Sequence, residues 1–210
     1  TLTRFSDAEW SPGDREVPSD HLADGRLPAP QGVASSIRRT EHPYRVSVLP
    51  TFDSRWLPTQ PPLSRADAEG DWRYDERTMD FIAGDSDLTT ASLDYTMTSV
   101  DLHLSAADLA DAGTSSGKVD DIFTDLPDDL PELVRDLATQ VTEGATTDYE
   151  KAVALQSWFR EGGGFRYTLE RANGNGTDAL VAFLSDGPGG RAGYCEQFAG
   201  SLAILARAVG

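Results

Sequence analysis

Cys195 is the only cysteine among the 210 residues, and its position suits a nucleophile. It follows a loop of Ser, Asp, Gly and Pro at 185–190, and the apolar residues after it recur at the spacing of one helix face. These are Phe198, Ala199, Leu202, Leu205, Ala206 and Val209. The pattern predicts a helix beginning at Cys195, where unpaired N–H groups and the helix dipole favour a thiolate. A small buried hydrophobe at a loop-to-helix junction is the plainer alternative.

The neighbours of Cys195 have roles that the residues alone leave open. Glu196 suits the positive end of a helix dipole, yet a carboxylate close to the thiol disfavours the thiolate. Gln197 could donate to a substrate carbonyl, but successive helical side chains point about 100° apart, which favours a local bond. Tyr194 either walls an acyl pocket or closes the loop onto the core. The backbone N–H of Cys195 is the natural first donor to an oxyanion.

The segment Gly193–Ala199 and the apolar helix after it resemble the nucleophile helix of the transglutaminase-like superfamily, which has a papain-like Cys-His-Asp core. Within it, the chain resembles the membrane-anchored bacterial TgpA-like branch. The likeness covers about residues 126–210 and extends upstream in the order that the family shows. The matching residues are Tyr149, Glu150, Lys151, Ala152, Leu155, Trp158, Phe159, Phe165–Leu169, Phe183 and Leu184.

The resemblance implies that Cys195 is the catalytic nucleophile. In the family, the His and Asp follow the cysteine helix, whereas this sequence ends at Gly210 and its histidines, His21, His42 and His103, all precede Cys195. A thiol nucleophile needs a base and usually a group that orients the base. We therefore expect the His and Asp to lie beyond residue 210 and the segment itself to be inactive.

The function implied by the resemblance is acyl transfer on protein or peptide carboxamides through a thioester at Cys195. An amine acceptor makes the protein a transglutaminase, and water makes it an amidase or cysteine peptidase; the sequence leaves the acceptor open. No cofactor and no metal ion is expected. The competing hypothesis is a non-catalytic extracytoplasmic binding or assembly module that keeps the helix for packing.

Composition limits the partners. With 35 acidic against 18 basic residues, the net charge is −17 and the isoelectric point is near 4.4, so the surface repels nucleic acid.

No run of residues approaches the roughly 18 apolar residues of a membrane span, so we expect membrane attachment only through parts outside the segment. The start lacks a Met and a signal pattern, which favours a piece of a larger polypeptide. The resemblance implies the extracytoplasmic face of a bacterial or archaeal membrane.

The sequence changes character near residue 126, which predicts two domains and an α+β fold. Residues 1–125 form a β-rich domain with a Pro-rich leader and a linker at 108–118, because short runs alternate apolar and polar side chains. The runs are Tyr44–Leu49, Trp72–Tyr74, Thr78–Ile82 and Ser92–Val100. Residues 126–210 form the helical N-terminal half of the transglutaminase-like core.

Helix signals dominate the second half. Thr147 followed by Glu150 is a capping box, and an apolar stripe precedes it between Pro131 and Gly144. The stripe consists of Leu133, Val134, Leu137, Ala138 and Val141. The wide apolar face of the cysteine helix needs a cover, so we expect the segment to self-associate unless further chain packs on it.

Overall fold

The computed structural model describes residues 2–6, 9–12, 15, 17–113, 119–170 and 176–210. The strands are β1 (Arg4–Ser6), β2 (Glu9–Ser11), β3 (Asp24–Arg26), β4 (Arg39–Ser47), β5 (Leu63–Asp67), β6 (Trp72–Asp75), β7 (Asp80–Ala83), β8 (Asp94–Leu102), β9 (Arg166–Tyr167) and β10 (Ala192–Gly193). The α-helices are α1 (Ala106–Asp111), α2 (Glu132–Val141), α3 (Asp148–Ser157), α4 (Thr177–Leu184) and α5 (Cys195–Ala208). The fold is α+β, as predicted, and within the described ranges no helix has the length and apolar composition to cross a bilayer.

The chain folds as two compact units, Asp14–Ser105 and a second made of Leu2–Gly13 with Ala106–Gly210. The predicted division at residue 125 differs from this in two respects. Helix α1 belongs to the second unit because it packs against α3, and the N-terminal residues join the second unit because Phe5 is buried in its core. Positions 114–118 of the predicted linker lie outside the described residues.

The first unit contains an antiparallel sheet of four strands in the order β3-β5-β8-β4, and a hairpin of β6 and β7. Strand β8 shows the alternation that predicts it, since Tyr95 and Met97 are buried while Asp94 and Thr96 are exposed. The four predicted strand runs correspond to β4, β6, β7 and β8. This unit has a core of its own, formed by Ala23, Leu27, Leu57, Leu63, Ala66, Trp72, Tyr74, Phe81, Ala83, Tyr95 and Met97.

The second unit packs α2, α3 and α4 around α5. The predicted stripe of α2 is confirmed at its centre, where Val134 and Ala138 are fully buried, whereas Leu133 at its edge is exposed. The capping box of α3 forms as predicted. The core is completed by Leu130, Leu155, Phe159, Leu180, Phe183, Leu184, Ile204 and Leu205, together with Phe5.

A hairpin of β1 and β2 braces the C-terminal part of α5. Phe5 lies opposite Trp10 in the hairpin register, and the Arg207 guanidinium lies 4.9 Å from the centroid of the Trp10 ring. Arg207 Nη2 donates to the carbonyl of Thr3 at 2.7 Å, and Nη1 donates to the carbonyl of Asp125 at 2.9 Å. The last turns of the cysteine helix are therefore held by the N-terminal residues of the chain.

The buried face of α5 agrees with the predicted one at Leu205 and, through packing against the core, at Phe198, Leu202 and Val209, but not at every position. Ser201, Ile204 and Leu205 are buried, whereas Ala199 and Ala206, which the spacing assigned to the core, are exposed. The packing of α2, α3 and α4 decides which side of the helix is covered. Alanine is small enough to be tolerated on either side, so its positions say little about which face is buried.

Candidate functional site

The loop before the cysteine is compact because its glycines allow close backbone approach. A Cβ on Gly190 would lie 2.0 Å from the carbonyl oxygen of Ser185, so only glycine fits there. The Ser185 hydroxyl in turn donates to the carbonyl of Val181 in α4 at 2.6 Å. These contacts anchor the start of the loop at the end of α4, and the loop then leads into β10.

Strand β10 leads into the cysteine helix and is held by β9, to which it runs parallel. The Arg166 N–H donates to the carbonyl of Arg191 at 2.7 Å, and the Thr168 N–H donates to the carbonyl of Gly193 at 2.8 Å. A Cβ on Gly193 would approach the Phe183 ring to 2.9 Å. Hydrogen bonds on one side and an aromatic ring on the other therefore fix the backbone just before the cysteine.

Cys195 is the first residue of α5, and its side chain is exposed. The helix extends to Ala208, which confirms the predicted helix beginning at Cys195. The first N–H groups of a helix have no partner inside the helix, so the Cys195 N–H is of the kind that can bind an oxyanion. The thiol therefore stands at the positive end of the helix dipole and within reach of solvent.

The residues on either side of Cys195 make hydrogen bonds with one another. The Tyr194 N–H donates to Gln197 Oε1, with an N···O distance of 3.1 Å, so the Gln197 side chain caps the helix. The Tyr194 hydroxyl donates to Glu196 Oε2 at 2.6 Å. Both bonds lie at the exposed start of α5, and they hold Tyr194 and Glu196 against each other on either side of the thiol-bearing residue.

An aromatic cluster lies beneath the start of α5. Phe198, one turn after Cys195, packs edge-on against Phe183 with the ring centroids 5.2 Å apart. The cluster consists of Trp158, Phe159, Phe165, Phe183 and Phe198, each within 6.3 Å, centroid to centroid, of at least one other member. It provides the rigid base on which the cysteine segment rests.

Two apolar side chains remain exposed beside this cluster. Tyr167 of β9 is 63% exposed, and its ring stacks against Phe198 with the centroids 6.3 Å apart. Leu169, two residues further on, is 82% exposed. Because Tyr167 pairs with Gly193, it lies close to the backbone that carries the thiol.

The three histidines all belong to the first unit. His42 Nε2 lies 3.0 Å from Asp101 Oδ2, and His103 Nε2 lies 2.7 Å from the Thr40 hydroxyl, and both contacts are exposed. Among the described residues, no group of three or more His, Cys, Asp or Glu side chains is placed to hold a metal ion.

Arg191 is the residue of the site that sequence reasoning left without a role. Its backbone has a φ of 52°, in the left-handed region, and its guanidinium donates to the carbonyl of Gly163 at 2.7 Å. A left-handed arginine has no signature in a single sequence. The two glycines before it, Gly189 and Gly190, only indicate a turn.

A comparison with protein families gives a match for the region that contains Cys195. The family model of the transglutaminase-like superfamily matches residues 135–210, which begin in α2 and include the glycine loop and Cys195. The resemblance read from the sequence is thereby confirmed: residues 135–210 match the model of the transglutaminase-like superfamily.

Solved structures match both units. The crystal structure of the periplasmic domain of TgpA from Pseudomonas aeruginosa has a TM-score of 0.64 over 99% of this chain, at 18% identity. The same domain bound to ethylmercury has a TM-score of 0.63 over 99% of this chain, at 21% identity. The chain spans 62% and 63% of those two chains, respectively. It therefore has the fold of much of the TgpA periplasmic domain.

A curated relative matches over a shorter stretch. The uncharacterized protein YebA of Bacillus subtilis (strain 168) is 31% identical over 94 residues. The match covers 43% of this chain and 12% of the Bacillus protein.

Proposed function

We propose that the full protein catalyses acyl transfer on protein or peptide carboxamides, with Cys195 as the nucleophile. The observation that carries the proposal is the exposed thiol at the first position of α5, inside the residues that match the transglutaminase-like core. A thiolate at a helix start is a favoured nucleophile for acyl transfer. The aromatic cluster packs through Phe198 under the helix turn that carries the thiol.

The reaction proceeds in two stages. The Cys195 thiolate attacks the carboxamide carbon, and the oxyanion that forms accepts a hydrogen bond from the Cys195 N–H. The C–N bond breaks, and the nitrogen takes a proton from the general acid and leaves as ammonia or an amine. An amine or water then attacks the thioester, gives its proton to the same group acting as base, and restores the thiolate.

The proton-transfer group belongs, in our proposal, to chain beyond residue 210. The histidines described here lie in the first unit and are engaged with Asp101 and Thr40 or lie in a turn. The TgpA domain with the same fold is longer than this chain. We propose that a His and an Asp in a further part of the protein complete the site and that the 210 residues alone are inactive.

The TgpA domain is periplasmic, and we propose an extracytoplasmic location for this protein as well. The substrate would then be a protein or peptide of that compartment. The net charge of −17 disfavours polyanionic partners.

The proposal is tested with the full-length protein, a glutamine-containing protein substrate and a fluorescent primary amine. Amine incorporation indicates transglutaminase chemistry, whereas ammonia release without amine, or peptide cleavage, indicates hydrolysis. Each product should disappear in Cys195→Ala and persist in Glu161→Gln, an exposed change on the same unit. A protein that forms none of these products would favour the non-catalytic module instead.

A further inference from the structure

Arg191 connects the cysteine segment to three other parts of its unit. Its N–H donates to the carbonyl of Phe183 at the end of α4, at 2.9 Å, and its carbonyl accepts from the Arg166 N–H of β9. Its Nη1 donates to the carbonyl of Gly163, which follows the last turn of the helical segment Trp158–Gly162. Arg191, four positions before Cys195, thus fixes the backbone at the start of β10.

The guanidinium lies among aromatic rings at a helix C-terminus. Its central carbon is 5.8 Å from the centroid of the Trp158 ring and 5.7 Å from that of Phe165. Both the ring faces and the negative end of the helix dipole attract a cation. A planar guanidinium can meet the rings and the carbonyl together, which a lysine ammonium cannot do in the same way.

The backbone conformation and the buried side chain of Arg191 both lower the stability of the folded protein. A φ of 52° is unfavourable for a residue with a long side chain, and Nε of Arg191 is buried without a hydrogen-bond partner among the described residues. Such strain persists where the surroundings enforce it, and it is concentrated at functional sites. A glycine at this position would remove the strain, and the preceding Gly189 and Gly190 show that the loop admits glycine.

We infer that Arg191 is a positioning residue whose guanidinium holds the Cys195 thiol at the helix start. The inference rests on the proposed function only in taking Cys195 as the nucleophile. Between the two residues, the backbone is tied to β9 through Gly193 and packed against Phe183, so a shift at Arg191 is transmitted to the first turn of α5. Loss of the guanidinium therefore moves the thiol relative to the backbone N–H groups at the start of α5.

The test is the rate at which iodoacetamide alkylates Cys195 in the full chain. Arg191→Gly removes the guanidinium but keeps the backbone conformation accessible, and we expect it to lower the second-order rate about fivefold, the scale of a helix-start effect. Millimolar methylguanidinium should return the rate toward that of the wild type, whereas methylammonium should not. Arg160→Gln, an exposed change on the neighbouring helical segment, should leave the rate unchanged.

Two outcomes would overturn the inference. One is Arg191→Gly reacting at the wild-type rate. The other is a slow variant that methylguanidinium does not restore, because the arginine then serves only to hold the fold together. If the glycine variant does not fold, Arg191→Lys tests the inference in its place. Slower alkylation of Cys195 at an unchanged melting temperature supports the inference, and alkylation at the wild-type rate contradicts it. Alkylation needs no acyl transfer, so failure of the proposed enzyme activity is a separate result.

Discussion

The backbone N–H of Tyr194 donates to the side-chain oxygen of Gln197, and this bond closes the first turn of the helix that carries Cys195. The bond pairs the backbone N–H of the residue just before Cys195, and the Gln197 side chain therefore has a structural role. It also gives the helix a cap although its N-cap residue is Tyr194, which is not among the residue types preferred at that position.

The Gln197 cap can be tested by substitution. Gln197→Ala leaves the Tyr194 N–H without its acceptor, and we expect the free energy of unfolding to fall by about 1 kcal/mol, the typical effect of losing a cap. Gln197→Glu retains an acceptor and adds a negative charge at the positive end of the dipole, so it should be at least as stable as the wild type. Urea unfolding measures both variants.

The matched control for this pair is Gln156→Ala on the exposed side of α3. It should change the free energy of unfolding by less than about 0.5 kcal/mol. Equal effects of Gln197→Ala and Gln156→Ala would mean that the Gln197 side chain does not cap the helix.

Glu196 should have little influence on the thiol. Its carboxylate accepts from the Tyr194 hydroxyl at 2.6 Å, which directs it toward Tyr194 at the exposed start of α5. We expect Glu196→Gln to change the alkylation rate of Cys195 by less than about twofold, since exposed charges interact weakly. Glu161→Gln provides the comparison for loss of one exposed charge. A large fall in rate for Glu196→Gln alone would show instead that this carboxylate organises the thiol.

The capping box of α3 predicts a specific dependence of stability on pH. Hydrogen bonds from the Thr146 N–H, the Thr146 hydroxyl and the Thr147 N–H lower the pKa of the Glu150 carboxyl. A carboxyl whose pKa is lower in the folded state stabilises the protein above its unfolded pKa, near 4.3, and loses that contribution as the pH falls through the folded value. Glu150→Gln should therefore be less stable than the wild type at neutral pH, and the difference should shrink in acid.

Thermal unfolding across this pH range measures the difference, with Glu143→Gln, an exposed change after α2, as the control. A gap between the wild type and Glu150→Gln that stays constant from neutral to acid pH would rule out the carboxylate as its cause.

Self-association of the 210-residue chain is still a prediction. Ala199 and Ala206 are exposed on α5 and Leu202 is half-buried, so one apolar side of the helix is open in this unit. Sedimentation velocity should show association that increases with concentration and that Ala206→Glu weakens. Val153→Glu, on an exposed apolar position of α3, should not weaken it. A chain that is monomeric at every concentration would contradict the prediction.

Local signals explain what the sequence could predict. The capping box at Thr147 and Glu150, the alternation along β8 and the helix beginning at Cys195 each depend on residues a few positions apart, and each is confirmed. Each of these interactions joins residues that are close in the sequence, so one amino-acid sequence is enough to predict it.

Long-range packing explains what the sequence could not predict. Phe5 and Trp10 lie far from α5 in the sequence, and nothing near them indicates that they pack on the second unit. The buried side of α5 is likewise chosen by its neighbours, which cover Ile204 and leave Ala206 exposed. The role we infer for Arg191 rests on its contacts with Gly163 and Trp158, which can be recognised only once these segments are placed together.

A thioester on Cys195 would be detected in the intact mass of the full-length protein, quenched in acid during turnover of a carboxamide substrate. If Cys195 is the nucleophile, the protein gains a mass equal to the acyl group, which peptide mapping locates on Cys195, hydroxylamine removes and Cys195→Ala lacks. Turnover without an adduct on Cys195, or an adduct that persists in Cys195→Ala, would contradict this role of Cys195.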